Sequence, residues 1–234
     1  MSVRECPPGN SDGLRSASVV TMEHSERDGV LVAARVAADL ALRPEVSERW
    51  SDESACAGMT VGGLAFHLAG QTDLVVRLLG AEPSDLAPIP VVEHYARAAW
   101  VHSGPDDEAN VGIREGSDEL ARSGPEALAT MVEAPLDALP GVLATVPPDT
   151  PILIPWQGWA LTCRDFLVTR LMETVVHSDD LAASVGLPTP DFPAAVVTPV
   201  LDLLTGLAVR RHGATALVRT LTRPQRAPAT VAAF

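Results

Sequence analysis

The segment from Thr162 to Val185 constrains the fold most. It reads "TCRDFLVTRLMETVVHSDDLAASV". Thr162 is placed to cap its start, and Gly186 with Pro188 is placed to stop it. One strong helix is predicted over 162–185. Its polar residues are the puzzle, because Arg170, Glu173, His177, Asp179 and Asp180 sit among leucines and valines. At about 100° per residue, Arg170 lies about 60° and His177 about 40° from Glu173 around the helix. Asp180 stays near that sector. Side chains four residues apart meet on one face, so Glu173 and His177 can bind one ion. Imidazole nitrogen and carboxylate oxygen are both zinc donors, at about 2 Å.

Two ligands do not complete a site. A second helix is predicted in "MTVGGLAFHLAGQTDLVVRLLG", with Thr60 as its cap and Gly80 as its stop. Leu64, His67, Gln71, Leu74 and Leu78 share one face of it, so His67 falls in the apolar stripe. Gly62 and Gly63 predict close packing at the first turn. His67 is the best third ligand for Glu173 and His177. Two histidines and one carboxylate leave a coordination position open, as catalytic sites do, and suit zinc or ferrous iron. The same residues admit another reading: Glu173 paired with Arg170 or Arg211, and His67 and His177 as satisfied core histidines. Glutamate and histidine are costly on apolar faces unless paired, which favours a common site.

The rest of the chain also reads as helix. A first helix is predicted from Val19 to Leu42, ending before Pro44, with Val32, Val36 and Leu40 on one face. Another follows Pro90. A long helix starts near Ser117, with breaks or kinks at Pro125, Pro135 and Pro140. The segment 147–162 reads as a loop with a short extended piece. A last helix runs to His212, breaks at Gly213, and resumes as a shorter turn. No repeat and no alternating strand pattern is present. The fold expected is an all-α four-helix bundle with additional short helices and a helical C-terminal tail. Residues 1–18 read as a flexible leader, and 19–234 as a single domain whose 190–234 portion packs on the bundle.

Charge narrows the function classes. The 17 basic residues, all arginine, face 30 acidic ones, for a net charge of -13. Such a surface repels phosphate backbones and anionic lipid, so neither nucleic acid nor a membrane is an expected partner. No run approaches the ~20 apolar residues of a membrane span, and the leader lacks a signal-peptide core. Cys6, Cys56 and Cys163 are odd in number and form no CxxC pair, which predicts reduced thiols and a cytoplasmic setting. None of the three is expected as a ligand. Cys163 lies ten residues before Glu173, about 15 Å along a helix. No glycine-rich phosphate loop follows a strand.

Several other side chains invite a role. His24 is a candidate for substrate binding or a plain surface position. His94 and His102 belong to a segment that reads either as a lid, with Tyr95 and Trp100 as apolar contacts, or as an ordinary amphipathic stretch. Trp156 and Trp159 either line an entrance or anchor a loop. His212 sits beside Arg210 and Arg211 at a helix end, where positive charge suits the dipole.

"MTVGGLAFHLAG" followed by "FLVTRLMETVVHSDDLAASVGLP" resembles the mycothiol-dependent maleylpyruvate isomerase family, within the wider DinB-like metalloenzymes. The likeness spans roughly residues 20–234 and is weakest over 81–150. It implies a DinB-like bundle with a divalent metal, typically zinc, held by His67, Glu173 and His177. It also implies mycothiol as a thiol cosubstrate and a small electrophilic substrate, isomerised or conjugated. Arg170 is the candidate catalytic residue, to hold a substrate carboxylate. Asp179 and Asp180 read as structural, although Asp180 can also receive the second ring proton of His177. The segment 190–234 is too short for the isomerase's separate C-terminal domain, which puts maleylpyruvate itself in question. A thiol-independent hydrolase and a non-catalytic metal-stabilised bundle are the alternatives, and a homodimer stays open.

Overall fold

The computed structural model describes residues 12–102 and 107–234, with side chains described from Glu26 onward except at Ala109. Four helices form the bundle: α1 (Asp12–Ala41), α3 (Val61–Leu79), α7 (Pro125–Thr145) and α8 (Cys163–Val185). α3 packs against α1, α7 and α8, and α1 also packs against α7 and α8. A short α2 (Pro44–Glu48) follows α1. The connection from α3 to α7 carries α4 (Val91–Arg97), α5 (Ala99–His102) and α6 (Glu108–Ala121), of which α6 packs on α3. α9 (Ala194–His212) covers α1 and α8, and α10 (Ala214–Thr222) folds back on α9. The all-α bundle expected from the sequence is the fold observed.

The two motif helices begin and end where their punctuation says. Thr60 Oγ1 accepts from Gly63 N at 3.0 Å, and Asp118 of α6 in turn accepts from Thr60 N (3.0 Å) and Oγ1 (2.6 Å). Gly62 allows the Trp50 ring to lie against the first turn, since a Cβ there would sit 2.5 Å from Trp50 Cε2. Thr162 Oγ1 accepts from Asp165 N at 3.0 Å. Gly186 ends α8 in the left-handed region, at φ 74°, with Leu187 N bonded to Ala182 O at 2.9 Å.

Elsewhere the chain departs from expectation. α1 is already helical at Asp12, inside the expected leader, because no proline interrupts the chain between Pro8 and Pro44. Residues 1–11, including Cys6, lie outside the described residues. The long helix expected from Ser117 is two helices, and Pro125 is the first residue of α7 rather than a kink within it. Pro135 and Pro140 lie inside α7 without ending it. The face that holds Leu128, Val132, Leu139 and Leu143 is buried, while Pro140 is exposed, so water can meet the carbonyl it leaves unpaired. Residues 151–162 form an antiparallel hairpin, β1 (Pro151–Ile154) with β2 (Trp159–Thr162), where only a short extended piece was expected.

Among the described residues, α7 is the one helix long and apolar enough to cross a membrane. It carries Glu133 and Asp137 mid-length and packs against α3 and α1.

The apolar core divides into two clusters. One gathers Val30, Val75, Leu139, Phe166, Leu171 and Leu203, and the other Ala37, Leu64, Leu68, Leu128, Leu181 and Val185. Along α8 the division falls between Met172 and Leu181, and along α3 between Ala69 and Val75. Gln71 of α3 and Glu173 and His177 of α8 occupy that seam, with His67 and Arg170 at its edges.

Candidate metal centre

The seam brings His67, Glu173 and His177 together. Glu173 Oε2 stands 3.2 Å from His177 Nε2 and 3.5 Å from His67 Nε2. The rings of the two histidines meet edge to face, with centroids 4.8 Å apart. One helical turn puts Glu173 and His177 on a single face of α8. α3 presents His67 to that face because its stripe packs there. The three side chains are 16–20% exposed, dry enough to strengthen their interactions.

Electrostatics hold this cluster in one protonation state. Burial by itself would raise the Glu173 pKa, but hydrogen bonds from His177 and His67, with the nearby Arg170 charge, hold it well below the ordinary carboxylate value. Burial would lower the His177 pKa, yet its bonds to Asp180, Cys56 and Glu173 push it up to about 12. His177 Nδ1 lies 3.0 Å from Asp180 Oδ2, the carboxylate position that orients many metal-binding histidines.

The donor set fits a divalent cation. Two nitrogen or oxygen ligands about 2.0 Å from a tetrahedral zinc are separated by about 3.3 Å. The two measured separations bracket that value, and all three donor atoms lie within 4.8 Å of one another. A proton on His177 now does what a cation would do, joining imidazole to carboxylate.

Arg170 does not pair with Glu173. Its Nη1 donates to Gln71 Oε1 at 2.7 Å and its Nε to Thr169 Oγ1 at 3.1 Å. Gln71 Nε2 reaches back to the His67 carbonyl at 3.0 Å. Arg170 is thus braced beside the triad through Gln71. Arg211, the other arginine considered for Glu173, lies on α9 at a separate cleft with His102 and Phe234.

The remaining candidates scatter. The side chain of His24 lies outside the described residues. His94 is buried and accepts a hydrogen bond from Trp159 Nε1 at 3.0 Å, which makes Trp159 a hairpin anchor. Burial, then the Arg170 charge, lowers the His94 pKa to about 4. His102 Nε2 lies 2.9 Å from Ala96 O, and His212 Nε2 lies 2.8 Å from Ala232 O, both away from the triad. Trp156 is 56% exposed at the hairpin turn. Asp179 bonds with Thr189. Cys163 is buried at the start of α8 and its pKa is pushed up to about 11 by burial.

Sequence reasoning missed Cys56. It sits in the connection between α2 and α3, yet its Sγ lies 3.3 Å from Asp180 Oδ2 and 3.9 Å from His177 Nδ1. None of the three cysteines is expected as a ligand from the sequence, yet the connection folds the Cys56 thiol onto α8 beside two possible donors. Sequence reasoning missed, too, that Tyr95 is fully buried with its hydroxyl unpartnered.

Comparison with known proteins adds one finding. The family model described as the mycothiol maleylpyruvate isomerase N-terminal domain matches residues 31–182, a span that contains the whole triad. No curated protein and no solved structure matches at a significant level.

Proposed function

Because this chain belongs to the mycothiol maleylpyruvate isomerase N-terminal domain family, we propose that it is a divalent-metal enzyme. It uses mycothiol as an isomerase or S-transferase on a small electrophile, in the cytoplasm. The observation that carries the reading is the convergence of two imidazole nitrogens on one carboxylate oxygen, at 3.2 and 3.5 Å. His67, Glu173 and His177 would hold the cation, with zinc the natural choice for this donor set. A bound zinc supplies Lewis acidity that keeps a thiol deprotonated at neutral pH.

The residues around it set up the rest. Asp180 holds the Nδ1 proton of His177 and so keeps Nε2 facing the donors. Gln71 ties His67 to Arg170. The Arg170 Nη2 group makes no hydrogen bond among the described residues, and it is the group to hold a substrate carboxylate. The thiol sulfur adds to an electron-poor double bond, and the bond order falls to one. Rotation and loss of the thiol return the isomerised alkene. A transferase protonates the adduct instead and keeps the carbon–sulfur bond.

The test is a thiol screen on the zinc-loaded protein with an unsaturated carboxylic electrophile. Consumption that needs both zinc and mycothiol supports the proposal. Equal turnover without thiol points to a hydrolase, and no turnover with any thiol or water contradicts an enzymatic role.

A further inference from the structure

We propose that Cys56, His177 and Asp180 form a second cation site, one that contains a thiolate and shares His177 with the triad. A thiophilic cation held there takes the His177 ring away from a cation at the triad, while its Nε2 proton stays towards Glu173. The donor atoms are already close to a coordination sphere. His177 Nδ1 and Asp180 Oδ2 are 3.0 Å apart, Cys56 Sγ and Asp180 Oδ2 3.3 Å, and Cys56 Sγ and His177 Nδ1 3.9 Å. A tetrahedral ion of zinc's size would separate nitrogen and oxygen ligands by about 3.3 Å, and sulfur from either by about 3.6 Å, and a larger soft ion would spread them somewhat further. Shifts of a few tenths of an ångström satisfy all three.

The thiol is held in place by the backbone around it. Ala55 N donates to Ser184 Oγ at 2.8 Å, and Ser184 Oγ donates to Asp180 O at 2.6 Å, so the connection is tied to α8 about two turns beyond His177. Cys56 N and Ser54 Oγ are 3.2 Å apart. Asp180 is 28% exposed against 16% for Glu173, so this set lies nearer to solvent than the triad.

Sharing makes the two sites compete. A neutral imidazole has one lone pair, because its other nitrogen carries the proton. His177 can therefore serve the triad through Nε2 or the outer set through Nδ1. Binding at the outer set displaces the thiol proton and the Nδ1 proton to solvent, while Nε2 keeps its proton towards Glu173. The thiolate selects soft cations such as cadmium, mercury or copper(I) over magnesium and calcium. Only the competition rests on the triad being a metal site; the outer set stands on its own donors.

The experiment adds cadmium to the full-length, metal-free protein and follows thiolate-to-cadmium charge transfer in the ultraviolet. The expected result is a band that is lost in Cys56→Ser, kept in His67→Ala, and reached in Asp180→Asn only at about tenfold or more higher cadmium. In zinc-loaded protein the band should grow in step with zinc release. No band in the wild type, or a band that survives Cys56→Ser, overturns the site. A band that forms with zinc fully retained overturns the sharing. A protein that gives the cadmium band but takes up no zinc would instead sink the proposed function and leave this site standing.

Discussion

Two histidines, His94 and His177, are both removed from most solvent and have opposite fates. Among the described residues the His94 ring has Trp159 as its one hydrogen-bond partner, and burial drives it to the neutral form, with a pKa of about 4. His177 stands between Glu173 and Asp180, and those carboxylates hold it protonated, with a pKa of about 12. Burial with a nearby guanidinium and no carboxylate bonded to the ring therefore makes a structural histidine. Burial between two carboxylates makes a position where positive charge is wanted, and a metal ion supplies that charge as well as a proton does. The same logic separates the two halves of the apolar core from the polar seam between them.

The largest expected effect attacks the charged side of this contrast. Glu173→Gln keeps the size and removes the charge both imidazoles face, so zinc affinity should fall by more than about 100-fold in a chelator competition. Trp159→Phe, which disturbs only His94, should leave that affinity unchanged. If both variants lose zinc equally, the contrast fails.

Next comes pH. His94 has a folded pKa below its ordinary 6.5, so the unfolded chain binds the extra proton. Its contribution to stability is complete above pH 6.5 and is lost as pH falls towards about 4, by up to about 3 kcal/mol. Denaturant unfolding across that range should show the loss, reduced in His94→Gln. His177 has the opposite sign. In metal-free protein its contribution is complete below about 6.5 and is lost as pH rises towards 12. Because zinc must displace that proton, zinc affinity should rise about tenfold per pH unit near neutrality, with a proton released in calorimetry.

Asp180→Asn probes the link between the centre and its support. It keeps a hydrogen-bonding group beside His177 Nδ1 but removes the charge, and should weaken zinc by about 10–100-fold. The smallest effect expected is that of Thr162→Ala. Loss of the cap bond to Asp165 N should cost about 1 kcal/mol in unfolding free energy, with no change in zinc affinity.

How much of this was legible in the sequence depends on the range of the forces involved. α3 and α8 could be read because their caps and stops are local, and the triad because helical periodicity projects residues four apart onto one side. The β1–β2 hairpin could not, since four-residue strands carry too little alternation to count. At Pro135 and Pro140 the sequence marked a break or a kink, and which of these applies depends on whether the unpaired carbonyl meets water, which only the packed helix decides. Cys56 was invisible for a similar reason: its contact with Asp180 spans 124 positions and depends on how an irregular connection folds.

The central claim is that His67, Glu173 and His177 form one metal centre. Zinc content, measured by mass spectrometry on full-length protein reconstituted with zinc and gel-filtered, tests it most directly. The account predicts one zinc per chain in the wild type and near none in His67→Ala, with the helical signal of the two proteins unchanged. Zinc retained in His67→Ala, or a wild type that takes up none, would contradict it.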